Sequence, residues 1–323
     1  MELTHRSKLK LLAGLGAAAI LPAGPALAQG YPRRPVELIV PFAPGGGTDL
    51  VARAFADAAK AHLERGIGVV NRTGGGGAVG LSEIMAARPD GYKIGLGTVE
   101  LAMLPHMGLV RFSADDFLPV ARLNAEPSAV TVKADAPWKT LGEYLEHAKA
   151  NPGKIRVGNS GTGAIWHLAT EALADKLGLR FNNIPYEGAA PAVTALLGGH
   201  IEAVAVSPAE VSAQVQAGQM RILGVMAEQR LEAFPDVPTF RESGTDLAIG
   251  TWRGIFVPKR TPAEVVETLR QVARRTAEEQ AFRDTLKKLN LTWAYLDGPQ
   301  FAEQVKAEDA TFKALMTRIG LAR

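Results

Sequence analysis

Three times in this chain a short apolar run ends in a glycine-rich loop that opens a helix pattern. Residues 36–42 lead into Ala43-Pro44-Gly45-Gly46-Gly47-Thr48-Asp49, residues 68–71 into Arg72-Thr73 and four glycines, and residues 156–159 into Ser160-Gly161-Thr162-Gly163. A buried strand joined to a helix by a tight turn packs in few ways, so its recurrence specifies an α/β chain with helices laid on sheets. Glycine has no Cβ, so a ligand can come close to the loop N–H groups, and the helix N-terminus beyond adds partial positive charge. A single loop of this kind reads equally well as an ordinary turn. Three of them, with hydroxyls at Thr48, Ser160 and Thr162, make an anion site the better reading. Asp49 cannot serve an anion directly; it either caps loop N–H groups or meets a ligand ammonium.

The rest of the chain keeps the alternation. Helix signals cover 49–64, closed by Gly66, and 80–87; strand signals cover 92–98 and 128–133. Thr140 and Glu143 form a capping box for a helix that stops near Asn151-Pro152-Gly153. Further on, Gly178 ends a helix, a strand passes Ile184, and helix 190–197 closes at Gly198-Gly199. Strand 203–206 precedes Ser207-Pro208-x-Glu210, read as N-cap, N1 proline and N3 acid. Strands at 221–227 and 252–257, a helix capped by Thr261-Pro262-x-Glu264 and a last helix at 301–319 complete the pattern. Two crossings, near 122–127 and 245–252, divide the chain into one lobe of 30–125 plus 250–323 and another of 126–249. Paired crossings make a hinge, and ligands in such sheets sit at the C-terminal strand ends.

The ends and the composition narrow the function. His5, Arg6, Lys8 and Lys10 precede the apolar run 11–21 and the small-x-small triplet Ala26-Leu27-Ala28, which reads as a secretory signal peptide over 1–28, cleaved after Ala28. The run is too short to span a bilayer, which needs about 20 apolar residues. With no cysteine in 323 residues, disulfides and thiolate chemistry are excluded. A net charge of +3 without a basic stripe speaks against nucleic acid. Gly75-x-Gly77-x-x-Gly80 with Glu100 resembles a dinucleotide fingerprint, but Asn71-Arg72-Thr73 separates the glycines from their strand. No Gly-Lys-Ser/Thr follows either glycine run, so no P-loop is present. Gly158-x-Ser160-x-Thr162 is one residue short of a nucleophile elbow, and His167 lies too far along its helix to serve Ser160 as base. The histidines lack metal spacing. The expectation is a periplasmic binding protein without enzyme activity, metal or cofactor.

At these loops the chain resembles the Bug family, the TctC-like solute receptors of tripartite tricarboxylate transporters. The resemblance runs through residues 40–49, Asn71-Arg72, Asp90-Gly91-Tyr92, Ser160-Gly161-Thr162-Gly163 with His167-Leu168, and Pro185-Tyr186-Glu187-Gly188. It continues through residues 197–202, Arg230, Pro235-Asp236-Val237-Pro238-Thr239, Trp252-Arg253-Gly254, and Pro258 with Thr261-Pro262. It implies a two-lobed periplasmic-binding-protein-like α/β fold of type II, each lobe a sheet flanked by helices, with the ligand cleft between them. It implies a monomer that pinches a small organic carboxylate (a di- or tricarboxylate, an amino acid or an aromatic acid) and hands it to the permease subunits of the transporter. Carried over, one pincer is Pro44, Gly45, Gly46, Gly47, Thr48 and Asp49, and the other is Gly75, Gly76, Gly77 and Ala78. The opposing lobe contributes Ser160, Thr162, His167, Tyr186 and Ser207. The stretch 98–105 departs from the family pattern and brings in Glu100, a candidate specificity residue if it faces the cleft. A binding protein that presents its ligand to a periplasmic signalling domain is the alternative.

Overall fold

The apolar runs assemble into two separate sheets. The structure, a computed structural model, describes residues 30–322; the export signal expected at 1–28 lies outside the described residues. The strands are β1 (Val36–Val40), β2 (Ile67–Asn71), β3 (Lys93–Thr98), β4 (Phe117–Pro127), β5 (Ala129–Lys133), β6 (Arg156–Asn159), β7 (Asn182–Pro185), β8 (Ala203–Val206), β9 (Met220–Val225), β10 (Gly250–Pro258) and β11 (Trp293–Asp297). The helices are α1 (Gly47–Ala58), α2 (Ala78–Met85), α3 (Glu100–Met103), α4 (Leu141–Ala150), α5 (Ile165–Leu177), α6 (Ala189–Leu197), α7 (Pro208–Gln216), α8 (Ala263–Glu278), α9 (Gln280–Lys288) and α10 (Gly298–Arg318). One sheet has six strands in the order β11-β4-β10-β3-β1-β2, the other five in the order β7-β6-β8-β5-β9. The fold is α/β, with helices flanking both sheets.

Local sequence explains most boundaries. β1 is buried at four of its five positions, as expected of a strand covered on both faces, and it pairs in parallel with β2 and β3. Val51, Ala52, Phe55 and Ala56 put the apolar stripe of α1 inward. The Thr140–Glu143 capping box opens α4, with Glu143 N–H donating to Thr140 Oγ1 at 3.2 Å. Gly178 ends α5 at φ +63°. The N-cap of α8 is Pro262 instead of the expected Thr261, whose hydroxyl donates to the Pro258 carbonyl at 2.8 Å. The long strand β4, the short helix α3 and the edge strand β11 had no counterpart in the sequence reading.

The chain leaves the six-stranded sheet between Pro127 and Ala129 and returns between Val225 and Gly250. The two passages are hydrogen-bonded to each other. Ser128 N–H donates to the Ile249 carbonyl at 2.9 Å, Met226 N–H to Ser128 at 2.8 Å, and Ile249 N–H to Met226 at 3.0 Å. On the six-stranded side, Phe301 of α10 packs edge-on to Trp252 at 4.7 Å and tilted to Phe256 at 5.1 Å. Removing a buried Phe of this kind costs about 3–5 kcal/mol.

Candidate ligand site between the glycine-rich loops

The first loop is held from below by a carboxylate. Asp49 Oδ2 accepts the Gly45 N–H at 3.0 Å, Arg53 grips both Asp49 oxygens at 2.9 Å, and Asn71 Nδ2 bridges Asp49 Oδ1 and the Phe42 carbonyl. Burial pushes the Asp49 carboxyl up, but Arg53, the Gly45 N–H and Asn71 outweigh it and hold it below the usual range. Asp49 therefore shapes the loop. Of the two roles the sequence left open for it, capping is the one the geometry adopts.

Above that base, the side chain that organises the site is one the sequence reading had noted only as part of a motif. Arg253 lies in the middle of β10, in register with Thr98 of β3 and Asn124 of β4, and is 1% exposed. Its Nε donates to Thr48 Oγ1 at 3.1 Å, its Nη1 to Asn124 Oδ1 at 3.1 Å, and its Nη2 lies 3.3 Å from Glu210 Oε1. The guanidinium presses on Gly47: a Cβ there would run into Nη2, so any larger residue must displace the buried Arg253 side chain. A lone arginine in the apolar run 252–257 was the signal that could have revealed it.

Two glutamates cross between the sheets in opposite directions. Glu210, from the first turn of α7, accepts the Gly47 N–H at the start of α1 at 2.9 Å, while its other oxygen takes the Ser207 N–H at 3.0 Å. Glu100, the first residue of α3, accepts the Ile165 N–H at the start of α5 at 2.8 Å. Two of the three helix starts that the glycine loops open, those of α1 and α5, thus carry a carboxylate from the opposite sheet, where positive partial charge favours it. Burial pushes the Glu100 carboxyl up, against the Ile165 N–H and the charge of Arg253. The Thr98 hydroxyl beside it opposes burial most, as a donor to the carboxyl, although Thr98 Oγ1 and Glu100 Oε2 are not well aligned for a hydrogen bond.

These groups enclose a cavity of about 20 Å³, lined by Gly46, Gly47, Thr48, Thr98, Glu100, Ser160, Glu210, Thr251 and Arg253, with Phe42, Ile165, Trp166 and Ala189 as its apolar wall. That is room for about one water. Of the residues expected at the site, Gly46, Gly47, Thr48, Ser160 and Glu100 meet here. The others lie around it. Pro44 and Gly45 are exposed. Gly75, Gly76, Gly77 and Ala78 stand outside the cavity lining, and Gly76 abuts the opposite loop, where a Cβ would fall 2.6 Å from the Thr162 carbonyl. Thr162 is exposed. His167 accepts the Gly163 N–H at Nδ1, 3.2 Å away, and faces Glu171 at 3.8 Å; burial pushes its pKa down. Tyr186 packs against the apolar core, and Ser207 is the buried N-cap of α7. A backbone bond from Ala43 N–H to the Glu187 carbonyl, 3.0 Å, adds to the contact between the loops of the two sheets.

Two helix-flanked sheets with a polar cavity between their glycine loops define a two-lobed α/β solute-binding protein. The chain belongs to the tripartite tricarboxylate transporter receptor family, TctC, whose pattern matches residues 51–321. It is 33% identical to a UPF0065 protein of Cupriavidus necator over 97% of this chain and 96% of that protein. A ligand-free TctC solute-binding protein from Polaromonas is 47% identical, covers 90% of this chain and 100% of its own, and superposes with a TM-score of 0.67. MatC of Rhodopseudomonas palustris, solved with bound malate, is 26% identical, covers 88% of this chain and 99% of its own, and superposes with a TM-score of 0.83. Among the described residues no helix is long and apolar enough to cross a membrane.

Proposed function

We propose that this protein is exported to the periplasm as a monomer, captures a small organic carboxylate between lobes 30–125 plus 250–323 and 126–249, and delivers it to the permease subunits of a tripartite tricarboxylate transporter. The observation that carries the reading is the buried Arg253 guanidinium on Thr48, at the cavity where the loops of both sheets converge. Malate in MatC supports the carboxylate. Lobe closure is supported by an inversion in the comparisons. The 47% identical ligand-free structure superposes less well than the 26% identical malate-bound one. Divergence of sequence alone would give the reverse order; lobes set closer together when ligand is bound would give the order seen. A cavity this small admits a ligand once the lobes part at the passages 127–129 and 225–250.

The site offers the hydroxyls of Thr48 and Ser160 and the loop N–H groups. Four or five charge-assisted hydrogen bonds of about 1.5–3 kcal/mol each, less ordering costs, correspond to roughly micromolar affinity. A thermal-shift panel of mono-, di- and tricarboxylates and amino acids tests this. A ligand at 100 times its Kd adds about 2.7 kcal/mol of apparent stability, a rise of several degrees in Tm. Thr48→Val should weaken binding about tenfold and, because it unpairs Arg253 Nε, lower stability by about 1–3 kcal/mol. A panel in which no carboxylate at millimolar concentration moves the melting curve would refute the capture reading.

A further inference from the structure

We infer that the ligand carries an ammonium group in addition to its carboxylate, and that Glu100 receives it; the inference rests on the capture reading above. Three charged side chains line the cavity, Arg253, Glu210 and Glu100, and each is almost fully buried. Glu210 already answers two of the site's positive features, the Arg253 guanidinium and the first N–H of α1. It is fixed there by its own helix through the Ser207 N–H. Thr48 accepts from Arg253 and keeps its hydroxyl proton to donate, and Ser160 faces it from the other sheet. That set suits one carboxylate.

Glu100 is different. One of its oxygens is taken by the Ile165 N–H; the other is buried against the cavity, where the Thr98 hydroxyl lies beside it in poor hydrogen-bond geometry. A buried carboxylate oxygen served by no more than a poorly aligned hydroxyl is under-satisfied, and an N–H group of the ligand would complete it. A second ligand carboxylate would place four negative groups, two from the ligand with Glu100 and Glu210, against one guanidinium where water screens little. An ammonium brings three donors and the missing positive charge. It also reverses the upward push that burial gives the Glu100 carboxyl.

Isothermal titration calorimetry on pairs matched in length separates the possibilities: β-alanine against succinate, and 4-aminobutyrate against glutarate, with propionate and butyrate as references. The wild-type protein is expected to bind the amino member of each pair at least about tenfold more tightly. In Glu100→Gln, which still accepts the Ile165 N–H, that ratio is expected to fall toward one. Tighter binding of the dicarboxylate by the wild type would overturn the inference and would mean that Glu100 donates a proton to a second carboxylate. An amino preference that survives unchanged in Glu100→Gln would overturn it as well. If neither the amino nor the simple carboxylates bind the wild type, the capture reading itself fails and takes the inference with it; a lost preference with binding intact removes only the inference.

Discussion

At the scale of single residues, the Arg253–Glu210 pair joins the two sheets through a buried ion pair. Glu210 is 4% exposed and Arg253 1%, so neither charge is hydrated, and each depends on the other together with Thr48, Asn124, Gly47 and Ser207. Removing one member of such a pair costs about 3–5 kcal/mol, because the remaining charge stays buried without a counter-ion. Arg253→Met is expected to lose that much in urea unfolding. Adding Glu210→Gln to it should restore at least half, since the neutral amide can still accept the Gly47 N–H. Additive losses in the double variant would show that the two charges act independently. The pair also marks the limit of what the sequence makes legible. Glycines 45–47 and Thr48 advertise a loop by composition alone, and Glu210 reads as a capping acid, which it is. The meeting of Arg253 with Thr48 and Glu210 depends on strand register and on a contact more than 40 residues away, which no local pattern contains.

At the scale of elements, the glycine loops do two jobs where the sequence suggested one. Strand-to-helix units were legible because apolar runs and glycines punctuate them: β6 and β8 fall on the expected residues, and α1, α2 and α6 begin within two residues of where the pattern placed them. β4 was not legible, because its partly exposed positions break any clean alternation, and its role as the passage to the second sheet appears only in three dimensions. The loop of Gly75–Gly77 leads into α2 as expected, yet its backbone meets the loop before α5. Gly76 sits at φ +63° with the Thr162 carbonyl where a Cβ would go, so alanine there strains the backbone and also wedges the lobes apart. Gly76→Ala is expected to lose about 1–2 kcal/mol of stability, to enlarge the radius of gyration in solution scattering, and to bind carboxylates about tenfold more weakly. Gly153→Ala is the control, because Gly153 has a similar φ of +73° with nothing within 4 Å of its Cβ position. Equal loss of affinity in both variants would mean that the effect is strain and has nothing to do with closure.

At the scale of the whole molecule, the passage between the two sheets has its own titrating group. Glu126 lies on β4 opposite Thr251, next to the residue where the chain leaves the six-stranded sheet. It accepts the Asn124 side-chain amide at 3.1 Å and the Thr292 N–H, and its second oxygen has no partner. Burial pushes its pKa up from 4.5 to about 7, the Thr292 N–H and Arg253 pulling the other way and Glu210 adding to the push. Between those two values the folded protein keeps a proton that the unfolded chain has released. The stability that this proton represents is complete below about pH 4.5 and is lost as the pH rises toward 7, a swing of about 3 kcal/mol. His167, lowered by burial, works in the opposite sense below its ordinary value, and the lowered Asp49, Glu83 and Glu202 act in more acid solution. The slope of the wild type alone is therefore mixed, and the informative quantity is its difference from Glu126→Gln, which keeps the acceptor and cannot ionise. Unfolding free energies measured by urea at pH 4.5, 6, 7 and 8 should show the wild type falling relative to the variant by about 3 kcal/mol across the series, most steeply between pH 5 and 7. A constant difference would mean that Glu126 is solvated in the folded protein, and that the passage between the sheets is open to water even with the lobes together.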